Sequence, residues 1–352
     1  LENRSLKWET TDTKNIGFDF GLFGNHLNGN INYYLNETRD LLITRRIAPS
    51  AGLDNPTLNV GKMRNQGFEL ELNWNDKISD FEYNVGFNIS TIANKVVALA
   101  NEDQTIYGVG LKYGTEHFPT QTKVGKPIGA FYLYQADGIF QSLEEVQAHK
   151  NSKGELLQPN AQPGDVRFKD MNGDGVIDED DKTYSGTGIA KVEANLNLGA
   201  SYKGFDFSAV IGSAFGNKLY NGIRYYYEGM NSGSNFLKTT LNAWTPTNTK
   251  TDIPRAVFGD PNQNTRESTR FLENGDFVRL RQVQLGYTLP KALSKHIYCE
   301  SIRFYVSAEN VFTITGYSGA NPEFSQGVLN SGVDRFTYPF SRSYTVGAQV
   351  SF

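Results

Sequence analysis

The sequence predicts an all-β chain, an antiparallel sheet that curls into a transmembrane β-barrel and carries long loops at one end. Three observations point there. The first is the final stretch, where Tyr344, Val346, Ala348, Val350 and Phe352 alternate with Ser343, Thr345, Gly347, Gln349 and Ser351. Strict period-two alternation gives a strand one apolar and one polar side, and the stretch matches the roughly 9–11 residues that a tilted strand needs to cross a bilayer. The second is that connections alternate between short ones, near Phe23, Asp76, Lys203 and Pro290, and long ones at Glu37–Val60, Asn94–Lys191, Asn217–Asp276 and Thr313–Arg342. Outer-membrane barrels have this asymmetry. The third is that aromatic residues (Phe20, Phe23, Trp74, Phe81, Tyr202, Phe205 and Tyr287) sit at strand ends beside the short turns, as in the girdle of a membrane boundary.

Taken in order, the strands follow from the same alternation. Ile16, Phe18, Phe20 and Leu22 alternate with Gly17, Asp19 and Gly21; Leu27, Ile31, Tyr33 and Leu35 alternate with asparagines. Phe68, Leu70, Leu72 and Trp74 then oppose Glu69, Glu71, Asn73 and Asn75, and a tight turn leads to Phe81, Tyr83, Val85, Phe87 and Ile89. From Asn94 to Lys191 the alternation mostly lapses. Within it, Ala130–Phe140 reads as an extended piece, and Ser142–Lys150 as a short helix with Ser142 as N-cap and Glu145 at the third helical position. Alternation returns at Val192–Tyr202 and Phe205–Ile211, and a helix is expected near Asn235–Trp244. Val283, Leu285, Tyr287 and Leu289 form the next strand, with a bulge expected at Arg281 because Val278 and Leu280 occupy the other parity. Ile302, Phe304, Val306 and Ala308 precede the terminal strand. The count is about nine spanning strands, whereas bacterial single-chain barrels have even numbers. The chain is therefore expected to be a portion of a larger barrel, since an open edge in lipid costs several kcal/mol per unpaired group.

Composition agrees with this class. The chain has 352 residues and a formal net charge of -4, which gives no general attraction to nucleic acid. One cysteine, Cys299, excludes a disulfide framework. Aromatic residues make up 13% and glycines number 35, a mix that suits aromatic-rich β architecture. No apolar run approaches the length of a membrane helix and mean hydropathy is -0.47, which a barrel with a polar lumen permits. Leu1-Glu2-Asn3-Arg4 has no initiator Met or signal-peptide pattern, so a mature or truncated chain is expected.

The sharpest motif lies in the longest loop. Asp170, Asn172, Asp174 and Gly175 match positions 1, 3, 5 and 6 of a calcium-binding EF-hand loop, with Ile177 at 8 and Asp178 at 9. Asp170, Asn172, Asp174, the Val176 carbonyl and Asp181 would ligate Ca²⁺, with Asp178 acting through water. Position 12 is Asp181 where Glu is usual, and strong flanking helices are missing. A turn-rich segment that needs no metal is the alternative. A bound ion would stiffen the loop, since no catalytic partners lie nearby. His26, His117, His149 and His296 are scattered, and neither nucleophile-elbow nor phosphate-loop spacing occurs, so no enzyme is expected. Glu69 and Glu71 share a strand face and read as lining of a wet lumen rather than a glycosidase pair. Tyr225, Tyr226, Tyr227 and Trp244 could stack on sugars, contact a partner or pack a loop.

The run Gly164–Asp178 is similar to a segment of SusC/RagA-type TonB-dependent outer-membrane transporters. So are Leu6–Thr11, Gly129–Tyr132 with Asp137–Phe140, Phe277–Arg281 with Leu285–Pro290, and Ala308–Phe312, in family order along nearly the whole chain. The terminal strand ending on Phe352 resembles the assembly signal of outer-membrane barrels. The resemblance implies the C-terminal part of a barrel of about 22 strands, with the plug domain, TonB box and signal peptide outside this chain. It implies import of oligosaccharide or peptide from a SusD-like surface lipoprotein, powered through TonB. With Phe352 at the periplasmic face, counting back puts 94–191 outside the cell. A secreted, calcium-stabilised β-sandwich that binds carbohydrate is the alternative reading.

Overall fold

Each alternating segment becomes a strand, and the strands add to one antiparallel sheet in the order of the chain. The structure, a computed structural model, describes residues 6–44, 50, 52–54, 56–59, 61–99, 105–113, 115–231, 235–324 and 326–352. The wall strands are β1 (Thr10–Leu22), β2 (Leu27–Arg39), β3 (Gly61–Ile78), β4 (Phe81–Thr91), β5 (Ala93–Leu99), β6 (Val192–Tyr202), β7 (Phe205–Phe215), β8 (Phe277–Thr288), β9 (Ser301–Thr315) and β10 (Ser343–Ser351). Nine lie in line as β1-β2-β3-β4-β6-β7-β8-β9-β10, while β5 continues beside the upper half of β3. The path stays open, with β1 and β10 at its edges.

Register makes the two faces continuous. One row across the sheet reads Phe20, Gly29, Leu72, Phe87, Leu196, Ile211, Leu280 and Phe312. The adjacent row reads Asp19, Asn30, Glu71, Asn88, Asn195, Gly212, Arg279 and Thr313. A one-residue slip in any strand would interrupt both rows. The apolar face is left bare: Phe18 is 67% exposed, Phe304 51% and Val346 84%. The expected bulge is present, as register shifts between Val210 and Ile211 on β7 and between Leu280 and Gln282 on β8, around Arg281. At the short-turn end, aromatic rings meet across strands, with Phe23 and Trp74 centroids 6.1 Å apart, Phe81 and Tyr202 6.5 Å, and Phe205 and Tyr287 4.5 Å.

The long connections all leave from the other end of the sheet, and three of them share a core. Leu111, Phe131 and Leu133 from 92–191, Tyr220, Tyr225 and Phe271 from 216–276, and Val333 from 316–342 are fully buried together. Burial of each large side chain contributes about 1.5–3 kcal/mol. Small sheets tie the layer together, including a parallel pairing of Lys218–Asn221 with Val333–Asp334 across two connections.

Some elements depart from expectation. β2 runs on to Arg39, and β5 occupies the start of the segment read as loop, because β3 is longer than β4 and its free edge takes a partner. Ala130–Phe140 splits into Ala130–Leu133 and Ala136–Ile139. The helix predicted from Ser142 covers Leu143–Ala148, with Ser142 Oγ accepting from the Glu145 amide. Near Asn235–Trp244 there is only a 3-10 turn, Lys238–Asn242, while an unexpected helix, Gly222–Tyr227, carries the tyrosine triplet. Asn221 caps that helix by accepting from the Arg224 amide at 3.0 Å.

Candidate functional site

The loop layer contains a cleft of about 650 Å³ lined by aromatic and charged side chains, among them Tyr107, His117, Phe118, Tyr134, Lys182, Arg266 and Glu267. Sequence-distant loops meet here. Lys182 Nζ donates to Glu179 Oε2 at 2.6 Å and to Glu267 Oε1 at 2.5 Å, and His117 Nδ1 closes on the other oxygen of Glu267. The Lys182 and Glu267 side chains are only 5% and 4% exposed, so neither charge survives burial without the other. Burial pushes the Glu267 carboxyl up, but His117 and Lys182 outweigh it and hold it at about 2. Burial pulls Lys182 down, yet its carboxylate neighbours leave it above its ordinary value. Burial and the nearby Glu179 raise the Tyr134 phenol, whose hydroxyl donates to Glu179 at 3.3 Å.

The Asp170–Asp181 loop borders this cleft through Glu179 and is closed by its own side chains. Asp170 accepts from the Gly173 and Gly175 amides at 2.6 and 2.9 Å, and Asp174 from Val176 at 2.9 Å. Asn172 Oδ1 accepts from the Asp174 amide at 2.8 Å while its Nδ2 donates to Asp174 Oδ2 at 3.0 Å. Asp181, fully buried, accepts from Met171 at 2.6 Å and Asp178 at 2.8 Å. Asp178 and Asp181 form a reciprocal cap on the 3-10 turn Glu179–Asp181, which leads straight to Lys182. Gly173 and Gly175 take left-handed φ of 76° and 92°, which the tight turns require. Among the described residues no group of three or more His, Cys, Asp or Glu side chains is arranged to hold a metal ion.

The polar face of the wall carries side-chain hydrogen bonds across and along its strands. Glu71 accepts from Asn30 at 3.1 Å and Asn73 at 2.9 Å, and Asn195 donates to Asn88 at 2.9 Å. Arg279 and Arg281 both grip Glu323, at 2.7 and 3.0 Å, fastening the last long connection to the wall.

A family model described as "TonB dependent receptor-like, beta-barrel" matches residues 1–311. The chain belongs to that family. Its members are β-barrels of the outer membrane, which accounts for the bare apolar face. TonB-dependent receptor P3 of Formosa agariphila is 30% identical over 99% of this chain. TonB-dependent receptor SusC of Bacteroides thetaiotaomicron is 27% identical over 99% of it. Among solved structures, one described as "Structure of the RagAB peptide transporter" superposes with a TM-score of 0.79 and 26% identity over 100% of the chain. The chain spans about a third of these relatives, 35%, 32% and 36% of their lengths.

Within this family barrel, the side chains singled out in the sequence divide cleanly. Glu69 and Glu71 sit on the polar wall face, Glu69 opposite Asn32 in register and Glu71 hydrogen-bonded to Asn30 and Asn73. Tyr225 and Trp244 are buried, the latter packed over Gly164 with its Nε1 donating to Gln141 at 2.9 Å, so both serve packing. Tyr226 and Tyr227 flank Phe336 with centroids 5.5 and 5.6 Å away. The six residues of the proposed calcium set share one loop, and their polar side chains are engaged with one another and with amides of that same loop. The cluster of His117, Lys182, Arg266 and Glu267 was missed, because its members lie in three separate aperiodic stretches. The only sequence signal is the charge of Arg266-Glu267, which singles out nothing by itself.

Proposed function

We propose that this chain forms part of the wall and the outward loops of an outer-membrane nutrient importer. It would take up oligosaccharide or peptide delivered by a SusD-like surface lipoprotein, with energy drawn through TonB. The observation that carries this reading is the division of labour in the sheet: a bare apolar row on one face, a polar row on the other, and a folded loop layer at one end only. That layer would lie outside the cell, where a lipoprotein lid would dock. The likeness to the RagAB peptide transporter supports the import role, while the lipoprotein partner follows from the resemblance to SusC/RagA-type transporters. The β-sandwich reading loses its support, because the chain belongs to a barrel family and a sandwich would bury the bare face.

The test is uptake. Cells lacking this protein should fail to grow on one class of polymer, peptide or glycan, and recover on complementation. Growth indistinguishable from wild type on every such nutrient would reject import. Affinity purification of the whole transporter from native membranes should bring down a lipoprotein.

We also infer that the Asp170–Asp181 loop takes calcium at about millimolar concentration. Its spacing supports this, and Asp170 and Asp181 keep lone pairs after accepting amides. The Val176 carbonyl, Asn172 and Asp174 would complete the set, with Asp178 acting through water. Terbium luminescence, displaced by calcium and lost in Asp174→Ala, is the expected result. Luminescence equal in both proteins would reduce the loop to a turn.

A further inference from the structure

Resting on the import reading, we propose that the cleft of the loop layer recognises a carboxylate on its ligand through the Arg266 guanidinium. Four other arginines that are partly or wholly buried in the layer are paired with carboxylates. Arg224 meets Glu228, Asp252 and Glu273; Arg255 forks onto Asp165; Arg270 meets Glu228; and Arg279 meets Glu323. Arg266 differs. Its guanidinium lies 4.8 Å from the Tyr134 ring centroid and 4.6 Å from that of Phe168. Its Nη2 donates to Gln263 at 2.9 Å, and its Nε, buried, finds no acceptor among the described residues.

The neighbouring carboxylates are engaged elsewhere. Glu267 is held by Lys182 and His117, and Glu179 by Lys182 and Tyr134. Asp260 accepts from the Asn264 and Thr265 amides at 2.7 and 2.9 Å. Arg266 is thus a cation desolvated without a matching anion, a state that costs free energy unless a partner arrives. Burial accordingly lowers its pKa despite these neighbours, and a bound carboxylate would reverse that cost. The guanidinium, placed over the Tyr134 and Phe168 rings and lining the cleft, keeps donor capacity beyond Gln263 for a ligand carboxylate. In the same cleft, the Tyr107 and Phe118 rings, 5.4 Å apart, give a surface on which the adjoining part of a ligand can stack.

A peptide C-terminus and a uronic acid both supply this chemistry, and the probes tell them apart. Calorimetry on the whole transporter in detergent would compare an acetylated phenylalanyl tripeptide as free acid, the same peptide as C-terminal amide, and trigalacturonate. The free acid should bind at least about tenfold more tightly than the amide, the value of one charge-assisted hydrogen bond. Arg266→Gln, with heat-modifiability on gels showing the barrel intact, should erase that preference. Preference for trigalacturonate with the same loss in Arg266→Gln would also support the carboxylate site and name its source. Equal binding of acid and amide by the native protein, or no binding of any probe, would overturn the proposal. Neither result bears on import, which the growth assay decides.

Discussion

The wall and the loop layer place the same residues in opposite ways. In the wall, Phe18, Phe304 and Val346 stand bare to the outside, while Glu71 and Asn195 face inward among polar partners. In the loop layer, Phe131, Phe168 and Phe271 are fully buried, and even charges such as Lys182 and Glu267 are shut in together. The difference teaches which solvent each region was built for. Lipid lets the wall do without a core, whereas the loops in water must bring their own, assembled from connections far apart in sequence.

That contrast can be broken most severely in the loop core. Phe271→Ala should cost about 3–5 kcal/mol, all of it in the loop layer. Limited proteolysis should then cut the loops readily, while heat-modifiability of the barrel is unchanged. Loss of both together would show that the regions are one cooperative unit.

The wall comes next. Leu70→Arg should cost about 2–4 kcal/mol near the bilayer midplane, and Glu69→Arg on the opposite face far less, in denaturant titrations of protein folded into vesicles. Similar costs at the two sites would abolish the distinction between faces.

Acid sharpens the comparison. Glu267 is held at about 2 in the folded loops against an ordinary 4.5, a depressed value. Its contribution is therefore full above the ordinary value and lost as pH falls from about 4.5 toward 2. Protease resistance of the loops should decline across that window, and Glu267→Gln should flatten the decline.

The smallest effect expected is at the N-cap of Leu143–Ala148, where Ser142→Ala should cost about 1 kcal/mol. Slightly faster amide exchange in that helix would register it.

How much could be read in advance follows the same division. Wall strands were legible because each is a local alternation, and even the bulge at Arg281 showed as a phase slip between Leu280 and Val283. β5 was not, since its place depends on β3 outrunning β4, a property of pairing rather than of its own sequence. The loop core of Leu111, Phe131, Tyr220, Phe271 and Val333 leaves no period to detect. Asp170–Asp181 was legible as a motif, because its turns are formed within a few residues. Lys182 and Glu267 meet across 85 positions of separation, and nothing short of the fold reveals such a pair.

The claim that one face of this sheet meets lipid and the other water is tested most directly by site-specific labelling. Single cysteines at Leu70, Leu196 and Val306, and at Glu71 and Asn195, would be introduced with Cys299→Ser and given a fluorescent label in vesicles. Labels at the first set should be quenched by a lipid-chain quencher and spared by aqueous iodide, and the second set should show the reverse. Equal quenching of both sets from either phase would contradict the account.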